Sequence, residues 1–163
     1  LMNIPIKYIP KHLTKQDKKR QAQQLKKSRA AYKKGKYQHR KPVKSFTSKR
    51  SQHIINAERI YKIKTLTVNN ELSKKTGCSK KALNQIIKKG QGAYYSSGSR
   101  PNQSAHSWGV ARLASSISGG KAAAVDYNIL LEGCSKNSKA LNLAKGSRQK
   151  NKYGTRKVPK TKI

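Results

Sequence analysis

The sequence predicts a mainly α-helical protein, a small helical core with long, basic, extended N- and C-terminal arms. Three observations lead there. In the middle of the chain apolar residues recur at helical spacing, and nothing alternates convincingly at period two. Hydrophobic residues make up 34% of the 163 residues, below the ~45–50% usual for globular domains, so one core spanning the whole chain is not expected. Thirty-nine Lys and Arg face five acids, a formal charge of +34. Self-repulsion of that size opposes compaction, so the composition calls for a polyanion or an acidic protein surface as partner.

The charge also sets the expected domains. Residues 1–50 hold 17 Lys and Arg and one acid, Asp17. Residues 51–146 hold 15 and four acids, and 147–163 hold seven and none. This reads as a basic N-terminal arm with one helix (1–50), a helical core (51–146) and a basic C-terminal tail (147–163). Free arms of such composition are expected to lack order.

Within the first arm, residues 1–13 are expected to be extended, with Ile4, Ile6, Tyr8 and Ile9 free to lie in a groove. Thr14 opens a helix from about Lys15 to Lys33, with Asp17 in its first turn. Its apolar residues (Ala22, Leu25, Ala30, Ala31) are sparse, which predicts a solvated or polyanion-facing helix. Residues 34–50 read as a strap. Tyr37, Val43 and Phe46 would dock while the interleaved cations face a partner.

The core begins with a helix from Ser51 to about Lys64. Residues 71–89 follow a helix-turn-helix pattern. A short helix reaches a turn at Gly77, and Ser79 caps a second helix with Leu83, Ile86 and Ile87 on one face. Lys81, Asn84, Gln85 and Lys88 fall on the other. Asn and Gln can read adenine, and Lys can hold phosphate or guanine. The competing reading is a packing hairpin with a solvated polar face. Gly90–Arg100 reads as a loop carrying Tyr94 and Tyr95. Further helices are expected over about 103–118, 121–131 and 138–144. Gly77-Cys78-Ser79-Lys80 before Ala82-Leu83-Asn84 recurs as Gly133-Cys134-Ser135-Lys136 before Ala140-Leu141-Asn142. Chance and a decayed duplication both fit this echo.

Few residues suggest chemistry. Cys78 and Cys134 lack partners at zinc-ligand spacing and are expected to be separate buried thiols in a reducing compartment. His106 is expected to be a structural histidine at a helix start. Ser104, His106 and Ser107 have no acid to orient them, so no hydrolytic triad is expected. The GQG and SGS segments lack the Lys-Ser/Thr of a phosphate loop. No catalytic residue, cofactor, metal site or small-molecule substrate is expected, and the chain does not read as an enzyme. Nor is there a membrane span or signal-peptide core. Tyr94, Tyr95, Trp108 and Arg112 are candidate interface residues. Trp108 and Arg112 would form a cation–π pair, or Trp108 would pack under the tyrosine loop. Asp126 is expected to be buried against a cation, Arg100 first and Arg112 second, with a solvent-facing Asp126 as the rival.

Several stretches together resemble one family. They are Tyr8-Ile9-Pro10-Lys11, Lys33-Lys34-Gly35-Lys36-Tyr37, Lys44-Ser45-Phe46 and, above all, the segment from Gly92 to Asp126. They resemble an uncharacterised family of small basic proteins encoded by large DNA viruses of eukaryotes, algal viruses included. The resemblance implies a virion component, a minor capsid protein under the major capsid shell. Its partners would be the major and minor capsid proteins, with nucleic acid or an anionic inner membrane beside them. It would act at the inner capsid surface and assemble in the host cytoplasm. The alternative is a DNA-binding protein using residues 71–89 with its arms on phosphates. A basic protein of a ribosome-like particle fits the arms alone.

Overall fold

The computed structural model describes residues 2–151 and 158–163. The protein is mainly α-helical, as the periodicity predicts, with eight α-helices and two short strands among the described residues. It forms two compact units. One comprises residues 1–49, 91–108 and 157–163, the other 50–90 and 109–156.

In the first unit β1 (Asn3–Pro5) pairs antiparallel with β2 (Lys160–Lys162), placing Ile4 opposite Thr161. Helix α1 spans Lys15–Lys33, and its N-cap Thr14 accepts a hydrogen bond from the Asp17 amide. Ile4, Tyr8 and Leu25 form a small buried cluster, with Met2, Ile9, Trp108 and Ile163 packed on it. The expected free arms are therefore corrected. Residues 1–49 carry buried positions of their own, and the last strand closes against the first. Of the expected tail, residues 152–157 lie outside the described residues.

The expectation for α1 missed its buried face because that face is mostly polar: Asp17, Gln21, Leu25 and Ser28. Each polar member is satisfied, as burial requires. Asp17 accepts from the Ser45 amide and hydroxyl at 2.8 and 2.6 Å. Gln21 donates to the Tyr8 carbonyl at 3.2 Å, and Ser28 accepts from Arg40 at 2.8 Å.

The second unit holds the larger core. Helix α2 (Gln52–Tyr61) buries Ala57, Glu58 and Tyr61. It ends at Lys62, in the left-handed conformation. Next come α3 (Asn70–Thr76) and α4 (Lys80–Ser96). They are followed by α5 (Ala105–Ile117), α6 (Lys121–Val125), α7 (Tyr127–Gly133) and α8 (Lys139–Lys150). Leu72, Leu83, Ile86, Leu113, Ile117, Leu130 and Leu141 meet in one cluster. The Tyr61 hydroxyl is buried and donates to the Ile117 carbonyl at 2.5 Å.

Three local expectations change. The Gly90–Arg100 loop is helical as far as Ser96, so Tyr94 and Tyr95 lie on α4. Gly90 serves a close approach instead of a turn, since a Cβ there would lie 2.6 Å from the Gly109 Cα. The single helix over 121–131 breaks at Asp126. The break rotates the buried face onto Ala123, Ala124, Tyr127 and Leu130, and leaves Val125 52% exposed.

The third concerns the cysteines. Cys78 and Cys134 form a disulfide, not two separate thiols. The two copies of Gly-Cys-Ser meet there. Ser79 N–H donates to the Gly133 carbonyl, and Ser135 N–H to the Gly77 carbonyl, both at 2.8 Å. Gly77 has φ +78°, and a Cβ on it would lie 2.5 Å from the Ser138 Cβ. The echo in the sequence thus marks a reciprocal junction between two helix starts. A disulfide persists in oxidising surroundings, so the reducing compartment loses its basis. The bridge closes residues 56 apart, and chain entropy assigns such a loop about 4 kcal/mol. Thermal unfolding should shift to lower temperature with reductant. Equal midpoints with and without it would contradict a closed bridge.

Candidate nucleic-acid interface

Just ahead of the predicted helix-turn-helix segment (71–89), the Asn69 side chain accepts from the Leu72 amide at 2.8 Å and caps α3. Gly77 ends α3 in the left-handed region, where glycine is favoured. The Ser79 hydroxyl then accepts from the Ala82 amide at 3.1 Å and starts α4. Ala82, Leu83 and Ile86 are buried, while Lys81, Asn84, Gln85 and Lys88 are all exposed. The four candidate residues therefore share one face, anchored from behind by the core. Lys80 and Lys89 are exposed beside them.

Lys89 also belongs to a buried charge cluster. The Asp126 side chain is fully buried. Arg112 holds it through Nε and Nη2 at 3.0 and 2.7 Å, Ser116 donates at 2.8 Å, and Lys89 Nζ lies 3.3 Å away. Arg112, the second of the two expected partners, makes the pair in place of Arg100, because the break between α6 and α7 turns the carboxylate toward α5. Arg100 itself is exposed. Arg112 thus anchors the core carboxylate. Trp108 is half-buried and packs edge-on against Tyr8, with ring centroids 6.0 Å apart.

The first unit carries aromatic and cationic groups of its own. Tyr94 is buried beneath Arg40, whose guanidinium carbon lies 3.7 Å from the ring centroid. Arg40 also donates to the Tyr94 carbonyl at 2.8 Å and to Ser99 at 2.9 Å. Burial pulls the Arg40 guanidinium below its usual pKa, and the nearby tyrosines push it back up. Tyr94 is therefore an anchor, whereas Tyr95 is half-buried and Tyr37 is 68% exposed. The expected docking of the 34–50 strap holds for Val43, which is buried. Asn102, at φ +62°, bonds the Val43 amide and carbonyl and the Phe46 carbonyl. Tyr37 touches other rings but is not buried.

Sequence reasoning missed Arg40, Asn102, Lys89 and Ser116, which act only through distant partners. Asn102 had one local signal, its place after Pro101 in a turn. His106, expected to be structural, is exposed. The neighbouring serines cap α5, Ser107 N–H donating to Ser104 Oγ and Ser104 N–H to Ser107 Oγ, both at 3.0 Å. No group of three or more His, Cys, Asp or Glu among the described residues is placed to hold a metal ion. No described helix is long and apolar enough to cross a membrane.

The Asp126 cluster has a defined pH signature. Burial raises the carboxyl's pKa, but the Arg112 hydrogen bonds and charge, the Ser116 bond and the Lys89 charge outweigh it, and the net value is lowered. The folded value lies below the unfolded one. The stabilisation is therefore complete above the ordinary carboxylate range near ~4 and is lost as pH falls through the lowered value. Asp126→Asn should cost about 3 kcal/mol at neutral pH. The gap from the wild type should narrow in denaturant titrations below about pH 4. A variant as stable as the wild type at neutral pH would rule out the anchor.

Comparison with known proteins gives one match. A family model described as "Family of unknown function (DUF5824)" covers residues 5–132. No curated protein and no solved structure matches the chain.

Proposed function

We propose that this chain, which belongs to the DUF5824 family of unknown function, is a nucleic-acid-binding structural protein of a virus particle. The observation that carries the reading is the outer face of α4. Lys81, Asn84, Gln85 and Lys88 stand exposed together on a helix whose opposite side is fixed in the core. Cations there suit phosphates, and the two amides suit base edges. The +34 charge supplies the sequence-independent part of the affinity through counterion release. The viral setting rests on the resemblance to small basic proteins of large DNA viruses.

The capsid reading, a minor protein linking neighbours beneath the shell, keeps one observation of its own. Val125 and Leu131 are 52% and 50% exposed, apolar positions suited to a protein partner. It loses the support of free arms, since residues 1–49 are folded with 91–108.

The test is duplex affinity measured across a salt series. Lys81→Gln with Lys88→Gln should lower the log–log salt slope by about 2. Asn84→Ala with Gln85→Ala should flatten any preference among duplex sequences at unchanged slope. The expected effect is ~1–3 kcal/mol for each amide that no longer bonds a base edge. Variants that bind every duplex as the wild type does would leave only the generic attraction of a basic chain and would count against α4 as the contact face.

A further inference from the structure

The segment after α1 folds back along it. Gln24 bonds the Lys41 backbone through both its amide atoms, Ser28 reaches Gln38 and Arg40, and Tyr32 meets Tyr37 at 6.2 Å between ring centroids. Residues 37–41 therefore run antiparallel to the helix over about 12 Å. Tyr37 also lies 5.0 Å from Tyr95, which in turn meets Tyr94 edge-on at 5.0 Å. The result is an aromatic shelf whose inner end is pinned by Arg40 and whose outer end, Tyr37, is exposed.

Ordering an exposed side chain costs rotamer entropy, and Tyr37, 68% exposed, is held by other rings and not by a core. Its surroundings are cationic. Lys33, Lys34 and Lys36 are exposed next to it in the chain. Toward the other end of the folded-back segment, a recess of about 450 Å³ is lined by Arg20, Gln23, Gln24, Lys27, Lys41 and Pro42. It holds three cations and no acid. Aromatic faces interleaved with cations fit a chain of planar bases on a phosphate backbone.

We propose that this layer of α1 and residues 36–41 is a binding site for single-stranded nucleic acid, with a base stacked on Tyr37 and phosphates on the basic recess. It deepens the nucleic-acid reading and rests on it, but uses a different set of residues from the α4 face. In a duplex the bases are already stacked on one another and offer Tyr37 nothing. An unpaired base offers a π-face whatever its identity, so the site selects strandedness instead of sequence.

The full chain should be titrated, at one salt concentration, with a labelled oligothymidylate and with a duplex of equal length. Tyr37→Ala should weaken single-strand binding about tenfold and change duplex binding by less than about twofold. Tyr37→Trp should restore single-strand binding. Tyr37 is no part of either buried core, so the variants keep the fold, and circular dichroism checks it. If Tyr37→Ala is silent, or weakens both probes equally, the shelf is not a base platform, while duplex binding through α4 still stands. If the wild type binds neither probe, the nucleic-acid reading falls and this site with it.

Discussion

Carboxylates are the scarce component of this protein, and where they sit governs the rest. Five acids accompany 39 cations, and three of the five are buried. Asp126 takes Arg112 and Ser116 in the second unit. Glu58, 9% exposed, accepts from Arg50 and from the Leu66 amide. Asp17 ties α1 to Ser45, whose hydrogen bonds hold its carboxyl below the usual range. Each fixes a connection that apolar residues are too few to secure. A buried carboxylate without its partners would be costly, so these bonds also define which arrangement of the helices is allowed.

The same placement leaves the surface almost uncompensated. Arg50, Lys75, Lys89 and Arg112 are engaged in salt bridges. The exposed Lys of α1, and Lys81 and Lys88 on α4, are not among them. Such a surface repels itself and attracts polyanions, and its association is steered and salt-sensitive. Five acids could never offset 39 cations, and burying three of them removes most of the little compensation the composition allows.

Much of this was legible in the sequence where the signal is local. Thr14, Gly77 and Ser79 mark helix ends by their own chemistry, and Leu83 and Ile86 show the buried side of α4 by spacing. The isolation of Asp126 among apolar residues announced a paired carboxylate, but not its partner. Chemistry that depends on distant partners was not legible. Gly90 looks like a loop residue until Gly109 is seen against it. Gln21 and Ser28 look solvated until Tyr8 and Arg40 satisfy them, and that hid the folded state of the N-terminal segment. The repeated Gly-Cys-Ser was visible as a repeat, yet nothing in its spacing says that its two copies bridge each other.

The central claim, that particular basic surfaces are contact faces and not merely charge, is tested most directly by photo-crosslinking. The full chain would be bound to mixed single- and double-stranded DNA, irradiated, and its adducts mapped by mass spectrometry. The account predicts adducts concentrated in residues 80–89 and 36–41. Adducts scattered over all basic segments in proportion to their Lys and Arg content, or absent from those two, would contradict it.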